Sequence, residues 1–301
     1  VRVRGATGEA VAVSARAAPR EHAITARGAR LAWRQWGEDH EYPVLALHGW
    51  LDNAASFDAL GPLLVGHRLI ALDLPGHGLS DQRGPHGSYN IWDDLPDLVW
   101  LTAELGLVRY ALLGHSRGAA IATLLAAIEP DAVSSLVLLD GMLTPMFREE
   151  DTVAQLRQFA HDYGRRRSRG PRVFTGVEEA VAARCAATGI DPRAAAMLVP
   201  RSLEPVPGGW RWRTDGRLRH ASALKLTRGN VRNVLEALQL PALQFRAAQG
   251  LVARPLDQEC SGWLRALAVE EIAGCHHCHM LGQAPAIAAR MQDFWRTCGQ
   301  G

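Results

Sequence analysis

Short apolar runs recur along the first half of the chain, and longer segments with helical character separate them. Each run is continuous rather than alternating, which is typical of a strand buried on both faces of a parallel sheet. Strands that alternate with helices predict an α/β fold, in which helices cover both faces of a mostly parallel sheet. The runs lie at residues 42–47, 68–73, 110–113 and 135–140, with helical segments at 91–105 and 119–127.

The pattern changes before the first of these runs and again after the last one. Residues 23–36 alternate weakly around Gly28, which predicts a hairpin of two edge strands. Residues 143–230 contain helical segments but no buried apolar run, and strand-like runs return at 241–248 and 268–274. We therefore predict a core made of residues 21–142 and 231–301, an inserted helical cap over 143–230, and an arm, flexible or an edge strand, over 1–20.

Composition narrows the class of protein. The chain has 301 residues, with 33 basic and 31 acidic side chains, and this near-neutral balance argues against nucleic-acid binding. No apolar run approaches the roughly 20 residues of a membrane-spanning helix. The five cysteines are odd in number and clustered late, unlike a disulfide framework. We expect a cytoplasmic monomer or homodimer that acts on a small molecule, with no nucleic-acid partner and no membrane span.

The strongest chemical signal is the stretch Gly-His-Ser-Arg-Gly at residues 114–118. It follows an apolar strand and precedes a run of helix-forming residues. Gly114 and Gly118 permit a sharp turn in which strand and helix pass closely. Ser116 then lies at a helix N-terminus, where backbone N–H groups and the helix dipole favour negative charge. The stretch predicts Ser116 as a nucleophile.

A serine hydroxyl needs a neighbouring base to take its proton, and a third group must orient that base. Three histidines follow the last predicted strand, where the base of a strand–turn–helix nucleophile is expected. Among them His276 is favoured, His277 is second and His279 third.

Two carboxylates are candidates for the orienting acid. Asp140 ends the strand that follows the nucleophile helix, whereas Asp257 comes late after the strand that follows the cap. Asp140 is the favoured assignment, although such a residue can also cap the first helix of the cap. The acid therefore stays open between these two positions.

The remaining strand ends complete the predicted site. A tetrahedral intermediate needs hydrogen-bond donors aimed at its oxyanion, and the backbone N–H groups of Arg117 and Trp50 are the candidates. Since ligands of α/β sheets bind beyond the carboxyl ends of the strands, His48 and Asp73 are expected near Ser116 and Asp140.

These stretches together resemble the α/β-hydrolase fold family of serine hydrolases, and in particular its capped, epoxide-hydrolase-like and serine hydrolase-like members. The resemblance implies an eight-stranded, mostly parallel sheet with a helical cap, Ser116 as nucleophile, His276 as base, an oxyanion hole from Trp50 and Arg117, and no cofactor or metal. Epoxide hydrolases of this family carry Asp at the nucleophile position, so Ser116 favours hydrolysis of an ester, thioester or lactone. Ala253 stands near the place where many relatives have the acid. The quoted stretches are residues 48–53, 73–80, 114–119 and 274–280.

Two other hypotheses remain. The stretch Cys275-x-x-Cys278-His279 also matches c-type haem attachment and half of a zinc site. A protein of this fold can also bind a small-molecule acyl ligand with little or no turnover, because fold alone does not fix function.

Overall fold

An eight-stranded sheet forms the centre of the protein. The structure, a computed structural model, describes residues 2–4, 10–12, 18–26, 28–144, 147–164, 172–251 and 254–300. The strands of this sheet are β3 (Arg20–Ala26), β4 (Ala29–Trp36), β5 (Tyr42–Leu47), β6 (His67–Leu72), β7 (Tyr110–His115), β8 (Val133–Leu139), β12 (Ala242–Gln249) and β13 (Leu267–Cys275). Their order across the sheet is β13-β12-β8-β7-β5-β6-β4-β3.

The sheet is parallel except at one edge. The six strands from β13 to β6 pair in parallel, while β4 pairs antiparallel with both β6 and β3. The predicted mostly parallel sheet of eight strands is therefore confirmed, including the edge hairpin, whose turn contains Gly28 at a φ of 80°.

Side chains of the central strands alternate between two apolar layers. Leu45 and Leu47 of β5 face one layer, and Val44 and Ala46 face the other. Because helices cover both layers, every position of such a strand is apolar, which explains the continuous runs in the sequence. The first layer is covered by α1 (Leu95–Glu104), α2 (Arg117–Ile128), α6 (Arg228–Ala237) and α7 (Arg254–Ser261), and the second by α8 (Ala284–Thr297).

The segment between β8 and α6, which we call the insertion (residues 143–230), contains more than the predicted helices. It has α3 (Thr152–Gly164), α4 (Val177–Thr188) and α5 (Pro192–Leu198), and also a small antiparallel sheet of β9 (Val173–Phe174), β10 (Leu203–Val206) and β11 (Gly209–Trp212). These strands have only two to four residues, and among them β11 shows an alternation of aromatic and basic side chains. Gly209 permits the pairing, since a Cβ there would lie 2.0 Å from the carbonyl oxygen of Phe174.

Other differences from the sequence-based prediction are local. The stretch after β5 forms two 3₁₀ turns, Ala54–Phe57 and Gly61–Leu63, rather than one helix. Helices α6 and α7 were not predicted. In the N-terminal segment, β1 (Arg2–Arg4) pairs antiparallel with β2 (Ala10–Ala12), and the rest of the predicted arm up to residue 17 lies outside the described residues.

Candidate active site

The turn between β7 and α2 holds Ser116 in a strained conformation. Its φ of 53° and ψ of −117° lie where few non-glycine residues are found. A Cβ at Gly118 would lie 2.1 Å from the carbonyl oxygen of Leu47, and one at Gly114 would lie 2.5 Å from the Cα of Ala119. The two glycines are therefore required because strand and helix backbones touch at this turn.

His276 and Asp140 are brought together at the carboxyl end of the sheet. His276 Nδ1 lies 2.5 Å from Asp140 Oδ2. The backbone N–H groups of Ala247 and Leu251 donate to the same carboxylate, at 3.0 and 3.3 Å. With Nδ1 donating to the carboxylate, the neutral ring has its lone pair on Nε2, the arrangement a general base requires.

Burial and hydrogen bonding oppose each other at Asp140. Desolvation by burial raises its pKa, but the hydrogen bond and charge of His276 and the backbone N–H groups of Ala247 and Leu251 lower it, and the net pKa is below its usual value. The carboxylate is therefore ionised at neutral pH and can stabilise a protonated His276.

The position of Ser116 relative to this pair follows from two close contacts. Gly141, directly after Asp140, packs so tightly that a Cβ there would lie 2.8 Å from backbone atoms of Ser116. His115, directly before the serine, has Nε2 3.1 Å from the carbonyl oxygen of His276. The three segments that carry the predicted nucleophile, base and acid thus meet at one end of the sheet.

Asp257, the alternative acid, has other partners. It is buried at the start of α7, where it accepts a hydrogen bond from Gln244 Nε2 at 2.7 Å and pairs with Arg246. None of its hydrogen bonds within the described residues reaches His276. The carboxylate of Asp257 therefore ties α7 to β12.

The two predicted oxyanion donors lie on differently anchored segments. The side chain of Trp50 donates from Nε1 to the carbonyl oxygen of Leu218 at 2.8 Å, and Arg117 is held through Nη2 by Asp94 at 2.9 Å. In the part of the chain that the structure describes, the backbone N–H groups of Trp50 and Arg117 have no protein acceptor. Both donors are available to a ligand oxygen.

Two buried histidines shape the loop that carries Trp50. The backbone N–H of Leu51, whose φ is 61°, donates to His77 Nε2 at 3.3 Å, and His77 Nδ1 donates to Pro75. His48 Nε2 accepts from the N–H of Leu74 at 3.0 Å. Burial lowers the pKa of His48 and, more strongly, of His77. These histidines are structural supports of the loop rather than reacting groups.

Asp73, the other predicted strand-end residue, anchors the insertion. It is fully buried and accepts from Arg201 Nε at 2.9 and 3.0 Å and from the backbone N–H of Ala54 at 2.7 Å. Asn53 donates to the carbonyl oxygen of Leu198 and to Ser202 Oγ, also across this boundary. Removing one partner of such a buried pair costs about 3–5 kcal/mol, so the insertion is firmly attached to the sheet.

The second and third candidate histidines contact groups other than Asp140. His277 Nε2 lies 3.3 Å from Asp52 Oδ2, and His279 Nε2 lies 3.0 Å from Ser56 Oγ. Arg184 of the insertion donates to Asp52 Oδ1 at 2.9 Å. The sequence did not predict the contact between Asp52 and Arg184, because the two residues are far apart in sequence and belong to no common motif.

A cavity of about 280 Å³ lies between the loop of Trp50 and the insertion. Ser116 is not among the lining residues of this chamber, so the chamber does not include the turn between β7 and α2, which we call the elbow. The chamber is bounded by Leu51 and by insertion residues that include Arg184, Ser202, Trp212 and Arg219.

The cysteine pair of the rival hypotheses is split between two environments. Cys278 is buried in the apolar layer under α8, Cys275 is partly exposed, and both are free thiols. Among the described residues, the group with metal-ligand spacing is Asp52, His115 and His277, and it contains no cysteine. None of the helices in the described ranges is long and apolar enough to cross a membrane.

Comparisons with known proteins identify the class. The α/β hydrolase fold family model matches residues 42–280, and the chain belongs to this family. A serine hydrolase-like protein of Danio rerio is 29% identical over 271 residues, covering 86% of this chain and 83% of the relative. A human serine hydrolase-like protein is 40% identical over 118 residues, which is 39% of this chain and 57% of that protein.

Solved structures agree with this assignment. A hypothetical protein of Pseudomonas aeruginosa PAO1 has a TM-score of 0.87 and 36% identity, covering 92% of this chain and 99% of that one. The thioesterase domain from the curacin biosynthetic pathway has a TM-score of 0.79 and 25% identity, covering 91% and 99%. The resemblance to the α/β-hydrolase fold family is confirmed.

Proposed function

We propose that this protein is a serine hydrolase that cleaves a small ester, thioester or lactone through an acyl-enzyme intermediate. The observation that carries the proposal is the contact between His276 and Asp140 at the end of the sheet where Ser116 forms a strained turn. The names of the serine hydrolase-like relatives and of the thioesterase neighbour support hydrolysis of an acyl bond.

In the proposed mechanism, His276 Nε2 takes the proton of Ser116 Oγ as the oxygen attacks the substrate carbonyl. Asp140 holds the ring orientation and stabilises the imidazolium. The backbone N–H groups of Trp50 and Arg117 bind the tetrahedral oxyanion. His276 then gives its proton to the leaving alcohol or thiol, and water attacks the acyl-enzyme by the same route in reverse.

We propose that the insertion acts as a cap that covers this site. Its polar contacts with the core include those of Arg201 and Arg184, and Trp50 donates to the carbonyl oxygen of Leu218 within it. The chamber of about 280 Å³ between the insertion and Leu51 is of a size suited to a small acyl or alcohol group.

A fluorophosphonate probe and a panel of p-nitrophenyl acyl esters test the proposal. Wild type is expected to label with one equivalent and to turn over short esters, and Ser116→Ala to do neither. Ser222→Ala, in the insertion, is the matched control and should behave as wild type. If wild type neither labels nor turns over esters, the alternative of a non-catalytic ligand-binding protein gains support and the hydrolase proposal fails.

A further inference from the structure

Three side chains with metal-ligand chemistry converge beside the proposed site. Asp52 Oδ2 lies 3.3 Å from His277 Nε2 and 3.4 Å from His115 Nδ1, and the three atoms all lie within 4.8 Å of one another. The side chains of Asp52 and His115 are at most 1% exposed, and that of His277 is 13% exposed. We propose that these residues bind one divalent transition-metal ion of the Zn²⁺ class.

The distances fit such an ion. A tetrahedral zinc with bonds of about 2.0–2.1 Å has ligand atoms about 3.3–3.4 Å apart, which matches the two separations that involve Asp52. The third edge joins the two imidazole nitrogens and is no longer than 4.8 Å. Where it exceeds about 3.4 Å, an ion would draw the two rings together, and His277, the least buried of the three side chains, is the one we expect to move.

The hydrogen bonding of His115 also calls for a cation. Its Nε2 lies 3.1 Å from the carbonyl oxygen of His276, which can only accept, so Nε2 carries the hydrogen. The neutral ring then directs the lone pair of Nδ1 towards the carboxylate oxygen 3.4 Å away, and no group among the described residues donates a hydrogen bond to this buried nitrogen. Two acceptors that face each other at 3.4 Å leave a position for a positive ion between them.

The surroundings leave room for an ion and set its coordination. A Cβ at Gly49 would lie 2.8 Å from Asp52 Oδ2 and 2.9 Å from His115 Nδ1, so the missing side chain leaves space against both ligand atoms. Arg184 occupies Asp52 Oδ1, which makes the carboxylate a ligand through one oxygen. The nearby guanidinium charge weakens cation binding, and we expect micromolar rather than picomolar affinity. Three protein ligands leave a fourth position open.

The three ligands come from segments that also carry the proposed machinery. Asp52 is on the loop of Trp50, His115 precedes Ser116, and His277 follows His276. An ion bound here would connect the loop of Trp50, the turn of Ser116 and the loop of His276. The proposal does not depend on hydrolysis, because metal binding is measured directly.

The first test titrates Zn²⁺ into tag-free, chelator-treated protein by calorimetry. Wild type is expected to bind one equivalent, and His277→Gln to bind at least about 10-fold more weakly, since even indirect supports of a metal ligand contribute that much. His86→Gln, at an exposed position outside this group, is the control and should bind as wild type. Failure of wild type to bind, or equal binding by His277→Gln, overturns the site.

A second measurement needs no variant and decides the matter if His277→Gln does not fold. X-ray absorption at the zinc edge of the one-equivalent complex should show nitrogen or oxygen ligands at about 2.0–2.1 Å with imidazole scattering. Sulfur at about 2.3 Å would assign the metal to cysteine ligands, and a shell without imidazole would mean adventitious binding. Either result refutes the proposal.

Discussion

At the scale of single residues, the central feature is the carboxylate of Asp140. It contacts His276, the proposed base, and two backbone N–H groups, whereas Asp257 connects α7 to β12. The two acids left open by the sequence therefore have different surroundings, and exchanging each for its amide separates their roles.

Asp140→Asn is expected to lower kcat by about 10⁴-fold, because an amide at this position favours the wrong tautomer of the histidine. Asp257→Asn should keep most of the activity but unfold more easily, since the charged partner Arg246 loses its counterion. Ester hydrolysis and urea unfolding measured on both variants check this. Collapse of activity in Asp257→Asn alone would move the acid to that position.

Gly250 lies directly against the same carboxylate. A Cβ there would lie 2.2 Å from Asp140 Oδ1, so Gly250→Ala must displace the acid. We expect kcat to fall by about 100-fold, the effect of a misplacement of about 1 Å, with little change in KM. Gly282→Ala is the control, since it lies in the loop that follows the base and its Cβ meets no atom within 4 Å. Equal activity in the two variants would argue against Asp140 as the acid.

The metal-ligand group shows what residue patterns cannot reveal. The resemblance implies no metal, and residues 52, 115 and 277 have no recognisable ligand spacing in the sequence. In the folded chain, three separate segments bring residues 52, 115 and 277 together at their ends. Arg184 of the insertion contacts Asp52 in the same place. Ser116 and His276 are easier to propose as nucleophile and base, since each follows directly from a strand and a turn.

At the scale of elements, the elbow depends on the close approach of two backbones. Gly118→Ala would place a Cβ 2.1 Å from a carbonyl oxygen of β5, and a backbone cannot yield as a flexible side chain does. We expect a loss of at least about 1–3 kcal/mol in the free energy of unfolding, measured by urea denaturation.

Gly229 provides the matched comparison, because it is also the second residue of its helix and its Cβ would meet nothing within 4 Å. Gly229→Ala is expected to stabilise by about 0.5 kcal/mol through helix propensity. Similar effects of the two substitutions would show that strand and helix are not in tight contact at the elbow.

Strands and helices could be predicted from the sequence where one pattern, a continuous apolar run or a helical repeat, dominated the segment. The central strands β5 to β8 are apolar at most successive positions, so they were found within a residue or two. The insertion lacks this pattern. Its short strands are stabilised by Phe174, Trp210 and Trp212 in a small cluster of their own, and its anchors, such as Arg201 on Asp73, span 128 residues.

At the scale of the whole molecule, the buried neutral histidines make stability depend on pH. His77 accepts a hydrogen bond through Nε2, which protonation would break, and burial lowers its pKa well below 6.5. Below pH 6.5, His77 is protonated in the unfolded chain but stays neutral in the folded chain until the pH approaches its lowered pKa. Stability therefore falls as the pH falls, by up to about 1.4 kcal/mol per pH unit for this group.

Urea unfolding at pH 7.5, 6.0 and 5.0 checks this dependence. His77→Gln should be less stable than wild type at pH 7.5 but lose less stability on acidification, since glutamine does not titrate. His40→Gln, at an exposed position, should keep the wild-type slope. An unchanged slope in His77→Gln would mean that other groups cause the acid sensitivity.

The crowding between Asp140 and Gly250 has an evolutionary consequence. The two positions belong to neighbouring strand ends, and a side chain at residue 250 would enter the space of the Asp140 carboxylate. One location beside the histidine can therefore be filled from either strand, but not from both. A lineage that transfers the acid from one strand to the other must gain a carboxylate and remove a side chain together, so each arrangement resists gradual replacement by the other.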